Sequence, residues 1–263
     1  MNFKAFNSRW VCHALLASVA ALPTLAAHAQ QLPTLPPPPP GYVFPARQTL
    51  TFSVDWRVFS AGTAVFHLEN QGNTEKVTAT ADTIGAVNML FPVEDRFQSV
   101  FDTRTGCSLS FNKHIVEGRR KVNSDLLFNY ATGKQTQTEK NMVKGTSKQT
   151  ETTIPPCVTD SLSAIFYAAS QPLHPGQSTS FPLGDALRTV PVTMKVLAHE
   201  EIKTPAGTFQ TVRVQPTSDS GVVKNRGNIM IWYTDDPRHI PVQIRAFLFW
   251  GSITFHLQSI ENK

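Results

Sequence analysis

Charge is what this chain has least of. Asp, Glu, Lys and Arg make up 16% of its 263 residues, and 24 basic against 19 acidic side chains leave a net charge of +5. A nucleic-acid binder gathers Lys and Arg into a stripe, whereas Arg119, Arg120 and Lys121 form the only run of three basic residues, with Asp125 soon after. Phosphate-cradling loops are missing too: the 14 glycines are scattered, and neither GxGxxG nor GxxxxGK followed by Ser or Thr occurs. There is no GxSxG and no cysteine in a catalytic context, so acyl transfer has no support. Only three cysteines are present, none in a CxxC pair, which removes thiol–disulfide catalysis. His67-x-Glu69 and His199-Glu200-Glu201 lack the second histidine that zinc sites use. No cofactor and no metal is therefore expected. Hydrophobic residues nevertheless reach 41%, enough to bury a core and too many for a disordered chain.

Long apolar runs are confined to the start. Lys4 and Arg9 precede a stretch from Trp10 to Ala26 that is almost wholly apolar or small, and Ala27-His28-Ala29 then supplies the small-x-small pattern of signal peptidase sites. Residues 1–29 read as a signal peptide cleaved after Ala29, which places the chain in the periplasm or outside the cell. Pro23, His13 and Ser18 dilute the run below the roughly 20 solidly apolar residues of a spanning helix, so no transmembrane segment is expected once the signal is removed. Removing 29 of 263 residues leaves 234, lowers the charge to +3 and discards Cys12, while 15 of the 17 phenylalanines stay. Cys107 and Cys157 remain. An even pair in an exported chain reads as a disulfide, the alternative being two unpaired buried thiols.

Residues 30–47 are proline-rich, with Pro36 to Pro40 consecutive. Such a run adopts extended polyproline II and reads as a tether ahead of a single β-rich domain at 48–263; a ligand for a proline-recognising module is the alternative. From Thr49 onward apolar and polar residues alternate. Leu50, Phe52, Val54 and Trp56 share one parity, Gly62 separates that strand from the next, and a polar pair at 133–140 and 145–152 flanks a hairpin turn from Asn141 to Gly145. Only Asp160 to Ala169 is helical in pattern, with Leu162, Ile165, Phe166 and Ala169 on one stripe, Thr159 or Asp160 as cap, and Pro172 and Gly176 as stops. Both parities are apolar in Ile229 to Tyr233 and in Phe247 to Trp250, so those strands are covered on both faces.

Two places stand out as able to carry chemistry. Asp235 and Asp236 lie beside Arg238 and His239; paired carboxylates can divide acid and base roles, but an Asp-Pro turn uses such side chains to satisfy backbone donors, and the turn is the favoured reading. Met89-Leu90-Phe91 puts three large apolar residues in a connection, either as a lip over an apolar cavity or as a loop tucked onto the core. With Phe166, Trp232 and Phe249 these three are the candidate ligand-binding residues. No catalytic residue is assigned.

Several motifs together carry a resemblance. Trp56 with Ala61-Gly62, Asp160-Ser161-Leu162-Ser163-Ala164, Thr204-Pro205-Ala206-Gly207-Thr208-Phe209, and Ile231-Trp232-Tyr233-Thr234-Asp235-Asp236 running into Ile240-Pro241-Val242 resemble the exported bacterial DUF 3108 family, from about Thr49 to Ile260. That family has no assigned activity and transfers no site residue. More distantly, the many strands, the helix and the excess of two-sided apolar surface are similar to the periplasmic lipoprotein carriers and receptors, whose curved sheets wrap an apolar cavity closed by several helices rather than one.

The expected fold is all-β: a single large curved antiparallel sheet or half-barrel of about a dozen strands, with one helix packed on the concave face. The expected role is non-enzymatic, binding an apolar or lipid-like ligand or an envelope protein on that face. A structural or assembly factor acting through protein contacts is the alternative, and a hydrolase-like enzyme the third reading. Nucleic acid is not an expected partner.

Overall fold

The computed structural model describes residues 32–185, 188–219, 223–224, 228–248 and 251–262. The signal segment and Phe249 fall outside them. Fourteen strands form one antiparallel sheet: β1 (Arg47–Trp56), β2 (Phe59–Asn70), β3 (Thr74–Thr83), β4 (Glu94–Asp102), β5 (Ser108–Glu117), β6 (Arg120–Asn129), β7 (Lys134–Asn141), β8 (Thr146–Thr153), β9 (Ser178–Asp185), β10 (Arg188–Thr204), β11 (Gly207–Thr217), β12 (Asn228–Thr234), β13 (Pro241–Leu248) and β14 (Gly251–Asn262). The order is two meanders joined back to back, 8-7-6-5-4-3-2-1 continuing into 14-13-12-11-10-9, so the first and last strands pair at the centre. Burial alternates along the first half of β1, and Leu50 and Phe52 there, with Leu257 on β14, are fully buried.

The expected curved all-β sheet is present, with differences in detail. The strands number fourteen rather than about a dozen. Two helices are described rather than one, α1 (Gly85–Leu90) and α2 (Ser163–Ser170). The first has six residues and buries none of them, so it lacks the buried stripe by which a helix is recognised in sequence. Gly62 lies within β2 instead of ending it, because the break falls at Arg57 and Val58. Glycine is required there for a different reason: a Cβ at Gly62 would lie 2.3 Å from the carbonyl oxygen of Asp82 on β3. The close strand approach, and not a turn, selects it.

The sheet curls until its edges approach but does not close. A Cβ on Gly184 of β9 would stand 3.0 Å from the Phe128 ring of β6 and 3.3 Å from Gln135 of β7. Residues 154–160 form a seam that ties β9 to the start of β5 and to the β6–β7 turn, where Ile154 donates its N–H to Gly133 O at 2.9 Å. Ser108 donates its backbone N–H to Val158 O at 2.8 Å, Thr159 donates to Pro182 O at 3.1 Å, and Gly184 donates to Thr159 O at 2.8 Å. Cys107 and Cys157 are disulfide-bonded, with their Cα atoms 5.2 Å apart, which fastens this segment to the β4–β5 connection.

Inside the curl, α2 divides two hydrophobic clusters. Phe66, Leu68, Phe101, Phe111, Leu126 and Phe166 belong to the first; Tyr167, Phe181, Met194, Val212, Ile231 and Tyr233 belong to the second. The proline-rich segment lies along the domain. Leu35 is buried in the second cluster, the Pro36 carbonyl accepts from Tyr167, and Phe44 packs edge-on against Phe101 with ring centroids 5.3 Å apart.

Candidate functional site

The helix that shapes the interior is held by a buried carboxylate. Asp160 is fully buried. Its Oδ1 accepts the backbone N–H groups of Leu162 at 2.8 Å and Ser163 at 3.0 Å. Its Oδ2 accepts the hydroxyls of Ser99 and Ser108, each at 2.6 Å, and of Ser163 at 2.9 Å. Asp160 thus caps α2, as the sequence suggested it could, and also bolts the helix to β4 and to the start of β5. With both oxygens committed to these donors, the group acts as a strut.

Beyond that strut, α2 turns Ala164, Ile165 and Ala168 toward β9–β14 and leaves a cavity of about 300 Å³, at the lower end of small-molecule sites. Its walls are apolar: Phe181 and Leu183 on one side, Ile231 and Ile244 on the other, Met194 and Val214 between them. Ser161 and Tyr233 bring the hydroxyls to this lining. The Tyr233 hydroxyl is already committed, donating to the Ile165 carbonyl at 2.8 Å, and complete burial pushes its pKa up, so it stays a neutral donor. A chamber of this kind favours aliphatic surface and offers little to a charged or strongly polar ligand.

A second cavity of about 370 Å³ adjoins the first, and both include Ser161 and Phe255 in their linings. It lies under β2–β7 and is mixed in character, with Phe66, Phe97 and Phe111 beside Lys113, Glu117 and Arg120. The interior therefore grades from apolar on one side of α2 to polar on the other.

The residues singled out from sequence are placed apart. Phe166 is buried on the opposite flank of α2 from the apolar chamber, with its ring 6.1 Å from that of Phe66. Trp232 is buried between Ile231 and Tyr233, is absent from the lining they form, and donates its Nε1–H to Glu200 at 2.7 Å. Met89, Leu90 and Phe91 lie on and just after α1, at 87%, 85% and 54% exposure, and do not line the chamber. Sequence reasoning missed Ile165, Ala168, Phe181 and Met194. The two-sided apolarity of β12 marked the strand whose Ile231 and Tyr233 line the cavity.

The side chains of the acidic turn are taken up by partners within it and on β10 and α2. Asp236 accepts the backbone N–H of Arg238 at 2.9 Å and pairs with its guanidinium at 2.7 Å, and that guanidinium holds the carboxyl below the usual range. Asp235 pairs with His199 at 2.9 Å, and His239 Nδ1 lies 2.7 Å from the Ala169 carbonyl. His67 meets Thr49 at 2.9 Å and Glu69 meets Arg47 at 3.3 Å across the β1–β2 ladder. No group of three or more potential metal ligands converges among the described residues.

No curated protein matches the chain in sequence. Among solved structures, a β-barrel-like protein of the domain of unknown function DUF1849 from Brucella abortus is similar at a TM-score of 0.59 and 10% identity, covering 83% of this chain and 98% of that one. This is a likeness of fold. An exported protein with a YmcC-like fold from Bacteroides fragilis (TM-score 0.36, 8% identity, 83% and 97% covered) and a lipoprotein from Parabacteroides distasonis (0.31, 11%, 88% and 100%) are more remote. The family model for the protein of unknown function DUF3108 matches residues 51–258, from the second half of β1 almost to the end of β14. The Asp160 helix start and the curled sheet, apart from the outer ends of β1 and β14, fall within that span, and the chain belongs to the DUF3108 family.

Proposed function

We propose that this is a non-enzymatic periplasmic protein that binds an apolar or lipid-like ligand in the chamber between α2 and β9–β14. The observation that carries this reading is the chamber itself: about 300 Å³ lined almost entirely by aliphatic and aromatic side chains, with the Tyr233 hydroxyl turned away into the Ile165 carbonyl. A cavity that served only as a packing defect would cost stability in proportion to its volume, and a ligand offsets that cost. The export reading rests on the amino-terminal pattern, and no described helix is long and apolar enough to cross a membrane.

The test is native mass spectrometry of the protein purified from its own host, beside a delipidated control. An apolar adduct is expected on the first and not on the second. The variant Ala164→Phe, which fills the chamber from α2, is expected to lose the adduct while keeping the circular dichroism of the parent. A protein that carries nothing, and takes up no aliphatic probe after delipidation, would sink the reading. The edge-acting assembly factor is less supported, because β8 exposes Lys148 and Glu151 along its length, and charge on an edge strand discourages pairing.

A further inference from the structure

The two ends of the sheet differ in chemistry. The connections β1–β2, β3–β4, β5–β6 and β7–β8 emerge at one end, since Trp56 pairs with Phe59, Asp82 with Glu94, Glu117 with Arg120 and Asn141 with Thr146. Neighbouring connections touch: Val93 bridges Glu117, and Met142 donates its N–H to Lys121 O at 2.9 Å. The start of β14 lies at the same end, where Arg57 donates its N–H to Ser252 O at 2.8 Å.

Of twelve exposed large apolar side chains among the described residues, nine belong to this end. Val58 and Phe59 top the first connection at 86% and 61% exposure. Ile84, Met89, Leu90 and Phe91 surround α1, and Met142 and Val143 occupy the fourth connection. Phe247 stands one residue from the end of β13. Only Val43, Leu109 and Leu127 lie elsewhere. Scattered apolar residues on a surface need no explanation, but this concentration does.

The charge on the connecting residues has one sign. Segments 57–58, 84–93, 118–119 and 142–145 contain Arg57, Arg119 and Lys144 and no Asp or Glu. Just behind them, the acids Asp82 and Glu117 are each paired with an arginine at 2.7 Å, Arg96 and Arg120 respectively, while Glu94 at the start of β4 is an exposed acid at the same end. Both interior cavities also reach this end. Glu117 and Arg120 line the mixed one, and Leu248 and Ile253 line the apolar one.

We propose that this end of the sheet docks on the surface of an anionic lipid bilayer. The apolar connections enter the headgroup and acyl boundary while Arg57, Arg119 and Lys144 meet lipid phosphates, the combination by which peripheral proteins hold an anionic membrane. Lipid is favoured over a protein partner because the apolar groups sit on several separate connections with cations between them, which suits insertion into a fluid layer better than a matched flat contact. The proposal rests on the ligand reading only for its purpose: a docked end places the cavity openings at a lipid source.

Co-sedimentation of the processed protein with vesicles tests it. Binding is expected to vesicles of phosphatidylethanolamine and phosphatidylglycerol, weakening with added salt, and to be at least about tenfold weaker to phosphatidylcholine alone. Met89→Asp/Leu90→Asp alters two side chains that bury nothing and is expected to lower the partition about tenfold or more, with circular dichroism unchanged. Val43→Asp, at an exposed site elsewhere on the domain, is the control and is expected to bind as the parent does. Arg119→Glu/Lys144→Glu is expected to abolish the preference for anionic vesicles. Failure of the parent to bind anionic vesicles, or full binding by Met89→Asp/Leu90→Asp, overturns the proposal. So does self-association abolished by that variant without vesicle binding, which would make this end a protein interface. Vesicle binding by a protein that carries no apolar adduct leaves the docking surface standing and removes the ligand reading.

Discussion

The Tyr167 hydroxyl donates to the carbonyl oxygen of Pro36 at 2.8 Å. The bond joins the middle of α2 to the polyproline segment, 131 residues earlier in the chain. Burial pushes the pKa of Tyr167 up and keeps it a neutral donor. Its ring is fixed as well, edge-on to Phe181 with centroids 5.3 Å apart. Polyproline II has no internal hydrogen bonds, so its position depends on such external anchors.

Tyr167→Phe keeps the ring and removes the donor. The expected cost is about 1 kcal/mol, together with faster limited proteolysis between residues 32 and 46. Cleavage at the parental rate in that segment would show that Leu35 and Phe44 suffice to hold it.

Asp160→Ala strips the acceptor from three serine hydroxyls and two backbone N–H groups at once. A loss of roughly 3 kcal/mol or more is expected in urea titration, whereas Ser99→Ala, which removes one of the five donors, is expected to cost about 1 kcal/mol. Equal effects from the two variants would contradict the strut.

Glu75 sets an expected dependence on pH. The side chain is fully buried on β3, and burial, opposed by a hydrogen bond from Asn70 and aided by the charge of Glu69, raises its pKa to about 8. Its Oε1 has no hydrogen-bond partner. Between the ordinary carboxyl value and about 8 the native state holds a proton that the unfolded chain releases, so stability falls as pH rises through this window. Below it both states are protonated and the effect vanishes. Glu75→Gln is expected to raise Tm at pH values above about 8 and to leave it nearly unchanged in acid; an equal shift at both extremes would assign the gain to packing instead.

Reduction of the Cys107–Cys157 bond opens a loop of 50 residues, worth about 4 kcal/mol in the chain-entropy picture. Cys107→Ser/Cys157→Ser is expected to lower Tm. The first exchange-labile amides should be those of residues 154–160, readable by hydrogen exchange.

Much of this architecture was legible because a strand exposed to two environments advertises its period. Leu50, Phe52 and Val54 marked β1, and the polar hairpin around Asn141 to Gly145 marked β7 and β8, since alternation is a local property. Phe247 and Leu248 marked a strand, but the cover expected over both its faces is not there at Phe247, which is exposed. The cavity residues were hidden because lining depends on which flank of α2 meets which half of the curl. Phe166 and Ile165 are adjacent in sequence and equally apolar, yet they serve opposite sides. Asp160 was legible as a cap but not as a five-donor hub, because Ser99 and Ser108 reach it from strands more than 50 residues away.

The seam at residues 154–160 has a consequence for the size of the interior. A barrel closed by strand pairing has its bore fixed by strand number and shear. Here thirteen ladders leave one junction spanned by a chain segment and a disulfide, so the circumference is not quantised by register. Side-chain volume at that junction can set it instead. Gly184 marks the tightest point of that junction: a Cβ there would stand 3.0 Å from the Phe128 ring and 3.3 Å from Gln135, so a larger residue presses on the seam and not on any ladder.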